Sequence, residues 1–276
     1  MSELPPGRVF GIVGWPVAHS ASPAILGAAF RELGLNATYV AFPVPVGSLP
    51  AAVEGARVLG IEGVNVTMPH KEEAAGLVDD LEGDAARLGA VNTIARAGDR
   101  LVGHNTDAEG LRRFLVEDAG VEIGGRSTLL LGSGGAARAC VLALAREKAA
   151  RVTVAARTPE RARRLVGLFE EIPIDVLPFE QAASLGESAD MVVNATPLGA
   201  AGERVPLRPH ADQVVVDLIY RSTPLLEEAR AAGAEAHDGL GMLVRQAALA
   251  LEIWTGQEAP IPAMAAAARS AVGRAT

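Results

Sequence analysis

Short apolar runs of strand length alternate along this chain with segments whose apolar residues recur at helical spacing. That pattern predicts α/β architecture with parallel strands. Val9 to Val13 reads as a first strand, and Ser22-Pro23 opens a helix running to about Leu33. Thr38 to Phe42 and Gly63 to Thr67 are further strands, separated by a helix over Leu49 to Leu59. A helix is expected to begin near Pro69, and Ala90 to Ala95 with Leu101 to Gly103 read as paired strands closing this half.

A helix over Ala108 to Asp118 leads into the second half. There the continuous apolar run Thr128 to Leu131 precedes a glycine cluster and a helix through Ala145. Val152 to Ala155, Ile174 to Leu177, Met191 to Val193 and Val214 to Leu218 follow as strands, with a helix over Pro159 to Phe169. From Leu240 the period is helical again, with Leu240, Leu243, Val244, Ala247, Leu251 and Trp254 on one stripe. The Ala-rich segment Ala263 to Val272 reads as a helix packed across the first domain. The expected fold is two open α/β domains around a cleft, the second a Rossmann-type dinucleotide-binding domain. Residues 1–107 with 239–276 form the first domain, and residues 108–238 the second.

Composition narrows the class. At roughly 150 residues per domain, 276 residues suit two domains. A content of 49% hydrophobic and 21% charged residues can bury a core, which excludes a disordered chain. The formal net charge of −8 argues against a nucleic-acid partner. Cys140 is the only cysteine, so neither an intramolecular disulfide nor a cysteine metal cage is possible. The histidines at 19, 70, 104, 210 and 237 lack ligand spacing, so no metal is expected. No apolar run is long enough to span a membrane, and the start MSELPPGR lacks the pattern of a signal peptide. The expectation is a cytoplasmic protein, monomeric or homodimeric, with no membrane partner.

Candidate chemistry begins in the glycine cluster. Gly132, Gly134 and Ala137 match G-x-G-x-x-[GA], placed between a buried strand and a helix. The first glycine permits the tight turn, the second lets the backbone approach a pyrophosphate, and the small third residue lets the helix pack closely. Helix N–H groups and the dipole then favour phosphate. An NAD enzyme would carry an acidic residue roughly 20 residues further on, to accept from the ribose hydroxyl. Here the second strand ends in Ala156-Arg157-Thr158, with Arg161 one turn later. Forked guanidinium donors suit a 2′-phosphate, so NADP is the expected cofactor. The alternative is that these arginines are a solvated helix face.

Polar residues also gather at strand ends of the first half. Ser22 fits a helix N-cap with Pro23 at the first helical position, whereas Ser20 has no such structural use. In Asn65-Val66-Thr67-Met68-Pro69-His70-Lys71, Asn65 and Thr67 project from one face. Lys71 falls in the first turn of the expected helix, where the dipole would lower its pKa; pairing with Glu72 or Glu73 is the structural alternative. Thr106 and Glu109 have capping-box spacing, leaving Asp107 in the first turn as an anion favoured by the dipole or as a catalytic group.

Taken in order, several segments resemble the shikimate dehydrogenase family. They are Ser20-x-Ser22-Pro23, Asn65-Val66-Thr67-x-Pro69-x-Lys71, Gly89-Ala90-Val91-Asn92-Thr93, Asn105-Thr106-Asp107, Asn194-Ala195-Thr196 and Gly239-Leu240-Gly241-Met242-Leu243. The resemblance spans about residues 9 to 257. It implies NADPH-dependent reduction of 3-dehydroshikimate to shikimate, a step toward chorismate and the aromatic amino acids. It implies that Lys71 and Asp107 form the proton-transfer pair and that Ser20 and Ser22 bind the substrate carboxylate. Thr67, Asn92 and Gln246 would hold the ring hydroxyls with Asp107, Tyr220 would stand near the carboxylate, and Asn65, on the same strand-end face as Thr67, is a further substrate-binding candidate. The implied cofactor residues are Gly132, Ser133, Gly134, Gly135, Ala136, Arg157, Thr158, Arg161, Thr196, Gly239 and Met242.

In this reading a Lys71 ammonium stabilises the developing oxyanion and supplies its proton. Asp107 orients the oxygen and raises the lysine pKa again, so Lys71 is either the acid or an electrostatic stabiliser. The chain departs from the family pattern in three places. Ala156 replaces an asparagine expected before the phosphate arginine, the loop after Tyr220 reaches Thr223-Pro224 early, and His104 precedes Asn105. Three alternatives remain. A quinate/shikimate dehydrogenase of broader substrate or cofactor use would, in its NAD form, want an acidic residue in place of Arg157. A methylene-tetrahydrofolate dehydrogenase would not need the serine pair, and a non-catalytic NADP-binding sensor would lack Lys71 or Asp107.

Overall fold

The computed structural model describes residues 7–273, so most of the amino-terminal segment MSELPPGR lies outside the described residues. In chain order the elements begin β1 (Arg8–Gly14), α1 (Ser22–Glu32), β2 (Ala37–Pro43), α2 (Leu49–Val58), β3 (Gly63–Val66), α3 (Lys71–Ala74), β4 (Asp80–Leu81), α4 (Asp84–Leu88), β5 (Thr93–Ala97) and β6 (Arg100–His104). They continue α5 (Asp107–Arg112), β7 (Ser127–Leu131), α6 (Gly135–Arg146), β8 (Arg151–Ala156), α7 (Pro159–Val166), β9 (Ile174–Pro178), α8 (Ala182–Gly186), β10 (Met191–Asn194), β11 (Val214–Asp217), α9 (Pro224–Ala231), β12 (Glu235–His237), α10 (Leu240–Thr255) and α11 (Ile261–Gly273). The chain divides into two compact units, 1–106 with 244–276 and 107–243.

The first unit holds a six-stranded sheet in the order β2-β1-β3-β5-β6-β4. β1 runs parallel to β2 and β3, while β5 is antiparallel to both of its neighbours. All four residues of β3 are buried, as a central strand covered on both faces requires. α11 packs on α1, and the Trp254 indole donates to the Ile94 carbonyl at 2.9 Å, tying α10 to β5.

The second unit holds a six-stranded sheet in the order β12-β11-β10-β7-β8-β9, with every pairing parallel. That is the Rossmann order, and its switch point lies between β7 and β10, where ligands of open α/β sheets bind. β10 and β11 are buried throughout because they sit mid-sheet, so their residues are apolar up to a terminal Asn194 and Asp217.

Several boundaries differ from the sequence pattern. The helix expected from Pro69 begins at Lys71 and has only four residues, because a turn closed by the His70 N–H on the Thr67 carbonyl at 3.0 Å precedes it. The strand expected from Ala90 begins at Thr93, since the Val91 N–H turns aside to the Lys71 carbonyl at 2.8 Å. Past Arg112 the expected single helix widens into a π-helical turn over Arg113–Asp118. β4, α4, α8, α9 and β12 were not anticipated. Most of these are too short to establish a period.

Candidate active site

In the first unit, a chain of side-chain hydrogen bonds runs beneath the carboxyl ends of the strands. Ser22 is buried and its hydroxyl hydrogen-bonds to Tyr39, whose phenol donates to Asn65 Oδ1 at 2.7 Å. Burial pushes the Tyr39 pKa well up, and the Ser22 bond offsets part of this, so the phenol stays a neutral donor. Asn65 Nδ2 donates to Thr93 Oγ1 at 3.0 Å and to the Asn92 carbonyl at 3.2 Å. Thr93 Oγ1 donates to Asn92 Oδ1 at 2.9 Å. Asn92 Nδ2 then reaches Thr106 Oγ1 at 2.9 Å and Gln246 Oε1 at 3.4 Å, and the Thr106 hydroxyl donates to the Gln246 carbonyl at 3.0 Å.

This chain revises two readings. Ser22 is not an N-cap: the cap position is Ala21, without a side-chain bond, and it is Ser20 Oγ that accepts from the Ser22 N–H at 3.2 Å. Asn65 has both amide N–H groups committed inside the protein, so it supports its neighbours more than it faces a ligand. Tyr39, Thr93 and Thr106 are members that sequence reasoning missed. Thr67 and Lys71 are half-buried at the end of β3 and the start of α3. The bond from Val91 N–H to the Lys71 carbonyl holds the lysine's turn beside Asn92. A four-residue α3 carries little macrodipole, so the dipole argument made for Lys71 weakens.

Asp107, buried, is the first residue of α5. The capping box expected of Thr106 and Glu109 is absent. Thr106 is engaged with Asn92 and Gln246, and Glu109 instead meets Arg112 at 2.9 Å and Arg113 at 3.0 Å. Burial pushes the Glu109 carboxyl up, but those two guanidiniums outweigh it and hold the group below its usual range.

In the second unit, Gly132 has φ +109, and a Cβ there would stand 3.1 Å from the Ala195 carbonyl oxygen and from Thr196 Cγ2. Glycine is required on both counts. Ser133, Gly134, Gly135 and Ala136 follow, half-buried, and lead into α6, whose cap residue Gly134 supplies no side-chain bond. The first N–H groups of a twelve-residue helix thus open onto the loop. Arg157, Thr158 and Arg161 are exposed at the carboxyl end of β8 and the first turn of α7, on the strand next to β7. Ala156 is buried. These features fit a dinucleotide whose ribose carries a phosphate.

Around the switch point lies a second network, which joins the expected Asn194 and Thr196 to Asp217 and Thr223, two members that sequence reasoning missed. The buried Asp217 carboxylate accepts from Thr223 Oγ1 at 2.8 Å, Asn194 Nδ2 at 3.1 Å and the Ile219 N–H at 3.1 Å. Asn194 Oδ1 accepts from the Thr196 hydroxyl at 2.7 Å and its N–H at 3.1 Å. Burial raises the Asp217 pKa, the three donors oppose this, and Asp238 adds to the rise. Tyr220 follows Ile219 and is half-buried, its phenol pKa raised by burial. Gly239 is packed so tightly that a Cβ would fall 2.1 Å from the Leu218 carbonyl oxygen. Met242 is buried one turn into α10, and Gln246 lies four residues on, in the first unit.

Comparison with known proteins matches three consecutive parts of the chain. Residues 12–94 fit the shikimate dehydrogenase substrate binding domain, residues 115–201 shikimate / quinate 5-dehydrogenase, and residues 239–269 the shikimate 5′-dehydrogenase C-terminal domain. The shikimate dehydrogenase (NADP(+)) of Methanopyrus kandleri is 46% identical over 270 residues, covering 93% of each chain. Crystalline shikimate dehydrogenase from Aquifex aeolicus has a TM-score of 0.88 at 36% identity, covering 95% of this chain and 98% of its own. The Thermus thermophilus shikimate 5-dehydrogenase, solved with NADP(H) and shikimate, has a TM-score of 0.85 at 38% identity, covering 96% of this chain and 99% of its own. Among the described residues no helix is long and apolar enough to cross a membrane, and no three or more histidine, cysteine, aspartate or glutamate side chains are grouped so as to hold a metal ion.

Proposed function

The chain belongs to the shikimate dehydrogenase family, and from that premise we propose that it reversibly reduces 3-dehydroshikimate to shikimate with Lys71 and Asp107 as the proton-transfer pair. It is an NADP-dependent oxidoreductase acting on a CH–OH group. The first compact unit binds the substrate, and the second, which includes Gly239 and Met242, binds the cofactor. The observation that carries the assignment of roles is the buried hydrogen-bond chain from Ser22 to Gln246, with the Lys71 turn fastened beside Asn92.

NADPH, when bound, supplies the hydride that reaches the substrate's C3 carbonyl. Gly132 to Ala136 and the first turn of α6 receive its pyrophosphate, and Arg157 with Arg161 receives the 2′-phosphate. Thr158, Thr196, Gly239 and Met242 complete the cofactor's surroundings. Ser20 donates to the substrate carboxylate, with Tyr220 nearby, and Ser22 turns its hydroxyl proton from Tyr39 to the same carboxylate. Thr67, Asn92 and Gln246 orient the ring hydroxyls. Asn65 acts through Asn92 and Thr93, whose positions it sets. Lys71 stabilises charge developing on the carbonyl oxygen and holds the proton that the oxygen takes, while Asp107 orients that oxygen and supports the ammonium.

The test is oxidation of shikimate followed by the absorbance of reduced nicotinamide, with NADP or NAD and with quinate in parallel. Turnover with shikimate and NADP, and little with NAD, is the expected result. No turnover with shikimate and NADP overturns the reading. Equal rates with quinate or NAD move it to the broader quinate/shikimate class.

A further inference from the structure

Between α2 and strands β1, β2, β3, β5 and β6 lies a cavity of about 360 Å³. Small-molecule sites occupy roughly 300–1,000 Å³ and combine apolar walls with a few polar groups. Here Phe42, Ala52, Ala56, Leu59, Ile61 and Ile94 form much of the wall, while Glu62 and Arg96 are its charged members. None of the residues assigned to substrate or cofactor above lines it, and all of it lies within the first compact unit.

The middle of α2 shows that this space is not forced by crowding. Gly55 lines the cavity, yet a Cβ built there would meet no atom within 4 Å, and its φ is not in the left-handed region. Neither backbone conformation nor contact requires glycine at a helical position where alanine would be more stable. A larger side chain at this place in the cavity wall would have open space to grow into. Leu59, 78% exposed, leaves the same cavity an apolar edge toward solvent.

The two charged groups differ in their commitments. Glu62 is turned to Arg8 at 3.4 Å, and Arg8 also donates to the Trp254 carbonyl at 3.0 Å. Arg96 donates through Nη1 to the Arg57 carbonyl at 2.8 Å, in the last turn of α2, which fixes the guanidinium at the cavity's edge. Among the described residues no carboxylate pairs with Arg96. A guanidinium carries five N–H donors, so the held group keeps forked donors for a planar anion. We propose that this cavity binds a small aromatic carboxylate of one or two rings, its ring against α2 and its carboxylate on Arg96.

The probe is 2-naphthoate, titrated into the full chain by ligand-detected NMR, with 2-naphthamide as its uncharged counterpart. Saturable binding of the naphthoate is expected, unchanged by NADP and shikimate at saturating concentration, with the amide about tenfold or more weaker. Gly55→Phe should abolish binding, and Arg96→Gln should bring the naphthoate to the level of the amide. Thermal unfolding confirms that each variant is folded, and Gly55→Leu replaces the phenylalanine variant should that one unfold. Absence of saturable binding, displacement by NADP or shikimate, equal binding of acid and amide, or wild-type binding by the filled variant overturns the proposal.

Discussion

Asn65 on β3 and Asn194 on β10 occupy comparable places, each buried at the carboxyl end of a mid-sheet strand, and each organises the loops around it. Their surroundings differ in charge. Asn65 belongs to a chain of neutral groups, Ser22, Tyr39, Thr93, Asn92, Thr106 and Gln246. Asn194 shares its network with the carboxylate of Asp217. The neutral chain fixes hydroxyl and amide groups beside Lys71, and no member of the chain itself is charged. The charged network binds three donors strongly but includes a group that burial pushes toward protonation. The two halves should therefore fail differently when cut.

The largest expected effect separates chemistry from cofactor binding. Lys71→Ala should lower kcat for shikimate oxidation by about 10²–10⁴-fold, the range for loss of a positioned proton-transfer group. Binding of NADP, read by fluorescence titration, should stay near wild type because the glycine loop and Arg157 belong to the other unit. Retention of most activity would remove Lys71 from the mechanism.

Cutting the charged network comes next. Asp217→Ala leaves Thr223 Oγ1, Asn194 Nδ2 and the Ile219 N–H without their acceptor, and should cost about 3 kcal/mol in a denaturant melt. Asp217→Asn isolates the titration. The native carboxyl has a raised pKa, so its contribution to stability is full below the unfolded value and is lost as pH rises through the native one. The asparagine variant cannot ionise, and should gain on wild type as pH rises above the ordinary aspartate range. A stability difference that is flat with pH would show that Asp217 does not titrate as its burial implies.

Arg157→Ala should raise the KM for NADP by about 10–100-fold, the worth of a charge-assisted bond to phosphate, with kcat little changed. The KM for NAD should barely move, because NAD lacks the 2′-phosphate. An unchanged KM for NADP would return Arg157 to a solvated helix face.

How much of this was legible in the sequence follows from distance along the chain. The glycine loop and the strand-helix alternation are local signals, and they place β7, α6 and the Rossmann sheet correctly. Capping was misread where a stronger partner lay elsewhere. Glu109 has Arg112 and Arg113 within a turn, and Thr106 has Asn92 folded against it. Asp217 drew no reading as a site residue, because Asn194 meets it only through the parallel register of β10 and β11 and Thr223 only where the chain folds back to open α9. Tyr39 was missed for a similar reason. It lies on β2, beside Phe10 of β1, and reaches a residue on the strand beyond. Alternation says which face a side chain takes but not which partner it finds two strands away.

The neutral chain yields the smallest expected effect, and that smallness is its test. Tyr39→Phe keeps the ring that packs near Trp254, with centroids 6.3 Å apart, and removes only the hydroxyl. Asn65 Oδ1 then loses the donor at 2.7 Å, and Ser22 loses its acceptor. A neutral hydrogen bond contributes about 0.5–1.5 kcal/mol, so the melt should shift by about 1 kcal/mol. Because Tyr39 stays protonated far above neutrality, this loss should be constant between about pH 5 and pH 8, unlike the loss at Asp217. Ser22 and Asn65 sit at the two sides of the missing hydroxyl, so the KM for shikimate should rise by a few fold while the KM for NADP stays put. A larger rise in the NADP constant, or a pH-dependent loss of stability, would show that the two networks are not the separate supports their bonding describes.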